Sequence, residues 1–129
     1  MTPAKSTLTL KGRIQSFRCA FRGVGVMLVS QHNAWIHLLA TLVVILAGWH
    51  YHLHRLEWVC IVLAIVSVWM AEALNTALEF LADAVSAEIH PLVGKAKDVA
   101  AGGVLIAALG SVLIGLFIFG PHLFGRIHG

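Results

Sequence analysis

The chain predicts an all-α membrane protein, an N-terminal amphipathic surface helix followed by three transmembrane helices, and three observations carry that expectation. Of 129 residues, 59% are hydrophobic and 12% charged, with a mean hydropathy of +0.87. That is too apolar for a small soluble domain, so lipid is the expected solvent. Apolar runs follow one another along the chain, the clearest being Val99 to Phe119, 21 residues without a charge. Five of the six acidic residues (Glu72, Glu79, Asp83, Glu88, Asp98) lie in one stretch, Glu72 to Asp98, between apolar flanks. One domain, residues 1–129, is expected.

Residues 1 to 12 are polar and irregular, and MTPAKSTLTLKGR has no apolar core ahead of its charges, so no cleaved leader is expected. From Arg13 the pattern turns helical. Ile14, Phe17, Phe21, Val24 and Leu28 recur at steps of three and four, on one face, with Arg18 and Arg22 turned away. This predicts a surface helix over about 13–29, apolar side in the acyl boundary and arginines among headgroups. An ordinary amphipathic helix packed on protein fits the same pattern.

Ser30, Gln31, His32 and Asn33 form a polar break before the first span, about 35–51, which is short and leans on Trp35, Trp49 and Tyr51 at the interfaces. After a polar loop, His50 to Glu57, a second span over about 57–71 runs on without Pro or Gly as a polar helix to about residue 88, and Pro91 ends it. The third span is 99–119. Within it Gly103, Ala107, Ser111 and Gly115 make a ladder of small residues every four positions, which permits close helix approach.

Lys5, Lys11, Arg13, Arg18, Arg22, Lys95 and Lys97 fall on one side of these spans, and Arg55 and Arg126 on the other. Seven against two favours an N-terminus inside the cell, with the acidic stretch at the cytoplasmic surface. No basic stripe interleaved with aromatics is present, so no nucleic-acid partner is expected. Cys19 and Cys60 lie in different environments and offer neither a mutual disulfide nor metal-ligand spacing. His50, His52 and His54 alternate in the outer loop, without further ligands nearby in sequence.

On a continuous helix Glu72, Asn75, Glu79, Asp83 and Ser86 share one face. A carboxylate at mid-bilayer costs about 2.5 to 3.5 kcal/mol on insertion scales, so such residues usually face a polar cavity and carry function. Glu72 abuts the apolar run and is the deepest, which suits a general base. Glu79, two turns on, suits a hard cation, Asn75 can orient a phosphate or water between them, and Lys97 can neutralise phosphate charge from beyond the proline. A solvated helix face neutralised by Lys95 and Lys97 accounts for the same acids. Neither G-x-x-x-x-G-K-[ST] nor G-x-G-x-x-G occurs, so a nucleotide site here is not a P-loop.

The run E-A-L-N-T-A-L-E (Glu72 to Glu79), with Asp83, His90-Pro91-Leu92 and A-K-D-V-A-A-G (Ala96 to Gly102), resembles the signature of the prokaryotic membrane-integral diacylglycerol kinase and undecaprenol kinase family. The likeness extends through S-F-R-C-A-F-R-G (Ser16 to Gly23) and N-A-W-I-H (Asn33 to His37), nearly the whole chain beyond residue 12. It implies a homotrimer in the bacterial inner membrane that transfers the γ-phosphate of ATP, with Mg2+, to a lipid alcohol. It further implies that Glu72 is the catalytic base, Asn75 acts beside it, and Glu79 binds magnesium. Glu88, His90, Lys97, Asp98 and Cys19 would contact ATP, and the surface helix with Phe17 and Phe21 would close over the site. One position departs: where the family commonly has a second metal-binding glutamate, this chain has Gln31, whose carbonyl can ligate magnesium but adds no charge.

The expected activity is therefore diacylglycerol phosphorylation to phosphatidic acid, with undecaprenol as the alternative acceptor. A small oligomeric channel or transporter, with Glu72 and Glu79 along an ion path, is the competing non-enzymatic reading. A noncatalytic homologue that lost activity with Gln31 is another.

Overall fold

The structure, a computed structural model, describes residues 9–85 and 90–127, with the backbone alone for 126 and 127. Its regular structure among these residues is helical: α1 Leu10–Ser30, α2 His32–His50, α3 Arg55–Val85 and α4 Pro91–Ile127. Three of the four, α2, α3 and Pro91–Gly125 of α4, are long and apolar enough to cross a membrane.

Local chemistry accounts for the helix boundaries, several of which differ from the sequence expectation. α1 begins at Leu10 rather than 13 because Thr9 caps it, its hydroxyl accepting from the Gly12 N–H at 3.1 Å. The polar break expected over four residues shrinks to Gln31. This residue is extended (φ −116°, ψ 119°), its N–H donates to the Met27 carbonyl at 3.0 Å, and its own carbonyl accepts from Ala34 at 3.2 Å. One residue thus ends α1 and starts α2, and its side chain is spent on neither cap.

The α2–α3 loop is likewise shorter than expected. Tyr51 and His52 close α2 through N–H bonds to the Ala47 and Trp49 carbonyls, with His52 in the left-handed region (φ 53°) that commonly follows a helix end. Glu57, in the first turn of α3, reaches back to the His54 N–H at 3.2 Å, the second half of a capping box. α3 then runs unbroken for 31 residues, the single long helix the apolar-to-acidic run predicts. The expected end of that helix near residue 88 lies outside the described residues. Pro91 opens α4 as its first residue, where the missing N–H costs nothing, so Lys95, Lys97 and Asp98 stand on the first turns of α4.

α3 and α4 form the most extensive pairing, with α2 against α3. Leu53, Ile61 and Ile118 are the buried centre of a cluster with Val44, Tyr51, Trp58, Ile65, Ile114 and Phe119. Glu57 and His122 approach to 3.2 Å beside it and tie the start of α3 to the end of α4. A Cβ at Gly103 or Gly115 would meet no neighbour within 4 Å, while Ser111 donates to the Ala64 carbonyl of α3 at 3.2 Å. The tight glycine is Gly48, whose Cβ would lie 2.6 Å from the Trp58 ring. On α1 the apolar stripe is uncovered, with Phe17 67% and Phe21 75% exposed, and Met27 is that helix's buried residue.

Candidate functional site

Glu72 lies where the spanning part of α3 gives way to its polar end, and it is fully buried at 0% exposure, together with Asn75 and Thr76. Thr76 Oγ1 donates to the Glu72 carbonyl at 2.8 Å, a bond within the helix that leaves the carboxylate untouched. Both carboxylate oxygens of Glu72 lack a hydrogen-bond partner, as does Asn75 Oδ1. His37 Nε2 of α2 approaches Glu72 Oε2 to 3.3 Å, although not in hydrogen-bonding alignment. Buried polar atoms are nearly always paired, because an unpaired one forfeits its hydration for nothing. Three such oxygens within one helical turn mark a place built to receive donors or a cation.

Glu79, two turns on, is half-buried and already has two donors. Gln31 Nε2 reaches Oε2 at 2.8 Å and Asn75 Nδ2 reaches Oε1 at 3.3 Å. The one-residue break between α1 and α2 therefore delivers Gln31 to α3 across 48 positions of sequence. Asn75 and Glu79 border an open pocket of about 280 Å³, lined also by Asn33, Ile36 and His37 of α2 and, on the other side, by residues of α4 from Ala101 to Ala108. Lys97, one turn before Ala101, is held on the same side of α4 and pairs with Asp83 at 3.3 Å.

The expected site residues therefore separate into groups. Gln31, Glu72, Asn75 and Glu79 come together. Lys97 stands one turn away with Asp83, and His90 and Asp98 are exposed at the start of α4. Glu88 and Ser86 lie outside the described residues. Cys19 is exposed and faces a separate hollow between α1 and α3, lined with Met27, Ala73, Thr76, Ala77 and Phe80, and not the pocket of Asn75 and Glu79. His37 and Asn33 received no role from the sequence. Their four-residue spacing on α2 is visible in the sequence, but that His37 opposes Glu72 is not.

The donors suit magnesium. Glu79 and the orphaned Asn75 Oδ1 are hard oxygens, and Gln31 presents an oxygen once its amide turns over, the two ends of an amide being of one shape. One or two carboxylates suffice for a magnesium ion that keeps its waters and bridges substrate phosphates.

A profile of the family described as prokaryotic diacylglycerol kinase matches residues 18–119. The chain belongs to this family. It is 38% identical over 109 residues to the undecaprenol kinase of Bacillus subtilis, covering 84% of this chain and 89% of that protein. It is equally 38% identical over 109 residues to a diacylglycerol kinase of Synechocystis, covering 62% of it, and 31% identical over 81 residues to the diacylglycerol kinase of Escherichia coli K12, covering 66% of it. The family is one of membrane lipid kinases, which implies ATP as phosphoryl donor. With three helices of spanning length, membership makes this an inner-membrane protein.

Proposed function

We propose that this chain phosphorylates a lipid alcohol from ATP at the cytoplasmic face of the inner membrane, as a single membrane-integral domain that works as a homotrimer. The carrying observation is Glu72, a fully buried carboxylate with both oxygens unpaired, one helical turn from Asn75 and facing His37, both of which line an open pocket. A carboxylate kept at the lipid edge without partners is costly, and a general base gives it a use. In this reading the lipid hydroxyl gives its proton to Glu72 while its oxygen bonds to the γ-phosphorus and the bond to ADP breaks. Asn75 orients the reacting groups through its free Oδ1. Glu79, with Gln31, would hold magnesium, which when bound neutralises charge on the phosphates. Lys97, Asp98, His90 and Glu88 act on ATP. Cys19 has weaker support, because its hollow lies apart from the pocket. The exposed phenylalanines of α1 suit a helix lying on the membrane and covering the site.

Diacylglycerol remains the acceptor taken from the motifs. Undecaprenol is the second reading, supported by the relative of that activity, 89% of whose own length is matched. Purified protein in mixed micelles with ATP, magnesium and each lipid in turn decides between them. Glu72→Gln and Glu79→Gln should each lower turnover by at least about a hundredfold, as removal of a base or metal ligand does. Wild-type rates in both variants refute the assigned roles, and ion flux through the protein in liposomes without ATP would favour a channel.

A further inference from the structure

We propose that His37 is the positioning residue for Glu72, holding the carboxylate in its reactive orientation through an N–H at Nε2. The proposal rests on Glu72 being the base. His37 Nε2 and Glu72 Oε2 are 3.3 Å apart, both shielded from solvent and neither satisfied elsewhere. The distance is already within hydrogen-bond reach, and only the angle is off, so a small rotation of either side chain completes the bond.

The imidazole is itself framed. The ring of Trp69 stands edge-on to it, with centroids 6.3 Å apart at 68°. Trp69 Nε1 donates to Thr41 Oγ1 at 3.0 Å, and Thr41 Oγ1 donates to the backbone carbonyl of His37 at 2.7 Å. This closed circuit locks α2 to α3 at the height of Glu72, and its least satisfied polar atoms are the two that face each other.

Position adds a second argument. His37 lines the polar pocket of Asn75 and Glu79, and it also lines an apolar groove that continues along Ala40, Val44, Ile65 and Val68. It therefore marks the junction where a lipid tail gives way to a hydroxyl. From α4 this junction receives Ala101, Val104, Leu105 and Ala108, which carry no charge. The remaining polar neighbours in the pocket are Asn33, Asn75 and Glu79, of which Asn75 and Glu79 already bond each other.

The test compares His37→Phe, which keeps the ring against Trp69 and removes the N–H, with His37→Gln, whose amide offers an N–H near the Nε2 position. Full-length protein is assayed in mixed micelles with diacylglycerol and with undecaprenol. His37→Phe should lower kcat by roughly ten- to a hundredfold, the usual effect of a loosened catalytic group, with KM for ATP within about twofold. His37→Gln should recover at least about a third of the wild-type kcat, and Glu72→Gln should be no slower when His37→Phe is added, since both act through one carboxylate. An unchanged kcat in His37→Phe overturns the proposal, and so does equal impairment of the two single variants. A wild-type protein inactive on both lipids would instead overturn the lipid-kinase reading beneath it.

Discussion

If Gln31 and Glu79 share a magnesium ion as proposed, replacing Gln31 by glutamate should convert a site of one carboxylate into one of two, with opposite effects on the protein with and without the ion. In the structure the Gln31 amide donates to Glu79 Oε2 at 2.8 Å, a bond to a charged group worth about 1.5 to 3 kcal/mol. Glutamate replaces that donor by an anion at nearly the same place. Two unit charges about 3 Å apart repel by about 5 kcal/mol at an effective dielectric of ~20, before any relaxation. Both side chains are only partly buried, so rotation and solvent relieve most of this, and roughly 2 kcal/mol of destabilisation should remain without magnesium. Each ~1.4 kcal/mol of added attraction is tenfold in binding, so half-saturating free magnesium should fall about tenfold. The assay is lipid phosphorylation against free magnesium at fixed, saturating ATP, with thermal unfolding in detergent with and without the ion. If Gln31→Glu neither tightens the magnesium dependence nor becomes more magnesium-sensitive in its stability, Gln31 and Glu79 do not share an ion.

Two further outcomes follow from contacts elsewhere. Gly48→Ala would put a Cβ 2.6 and 2.9 Å from the stiff indole of Trp58, which packs on the Leu53, Ile61 and Ile118 cluster, so it should cost about 1 to 3 kcal/mol by overpacking. A lowered unfolding temperature with altered Trp fluorescence is the expected readout, and an unaltered one means that Trp58 has another place to go. Lys97→Met should raise KM for ATP while Asp83→Asn, which frees the same ammonium, should change stability by less than about 1 kcal/mol because the pair is substantially exposed. A KM insensitive to Lys97→Met would make the lysine merely Asp83's counter-ion.

Composition and periodicity carry most of the architecture in a chain like this, because in lipid only helices satisfy their own backbone and their spans announce themselves as apolar runs. The long continuous α3, the face shared by Glu72, Asn75 and Glu79, and the break at Pro91 all follow from residue order alone. Helix ends were less legible. Thr9 and Glu57 cap from a few residues away, and Pro91 serves as a first helical residue as readily as a stop, so the boundaries moved by several residues.

Only the packing of α2 on α3 decided the rest. Gln31 lies 48 residues from Glu79 and His37 lies 35 from Glu72, separations at which no periodicity relates one side chain to another. The ladder of Gly103, Ala107, Ser111 and Gly115 states that close approach is permitted but not by what, and within this chain the tight contact falls at Gly48 instead. The sequence by itself determined a membrane protein with a carboxylate-bearing helix and, through its motifs, the family of lipid kinases to which it belongs. That Glu72 is wholly buried with both oxygens unpaired, and that His37 faces it, was decided by the tertiary structure, since burial and pairing belong to neighbouring helices and not to the order of residues along one.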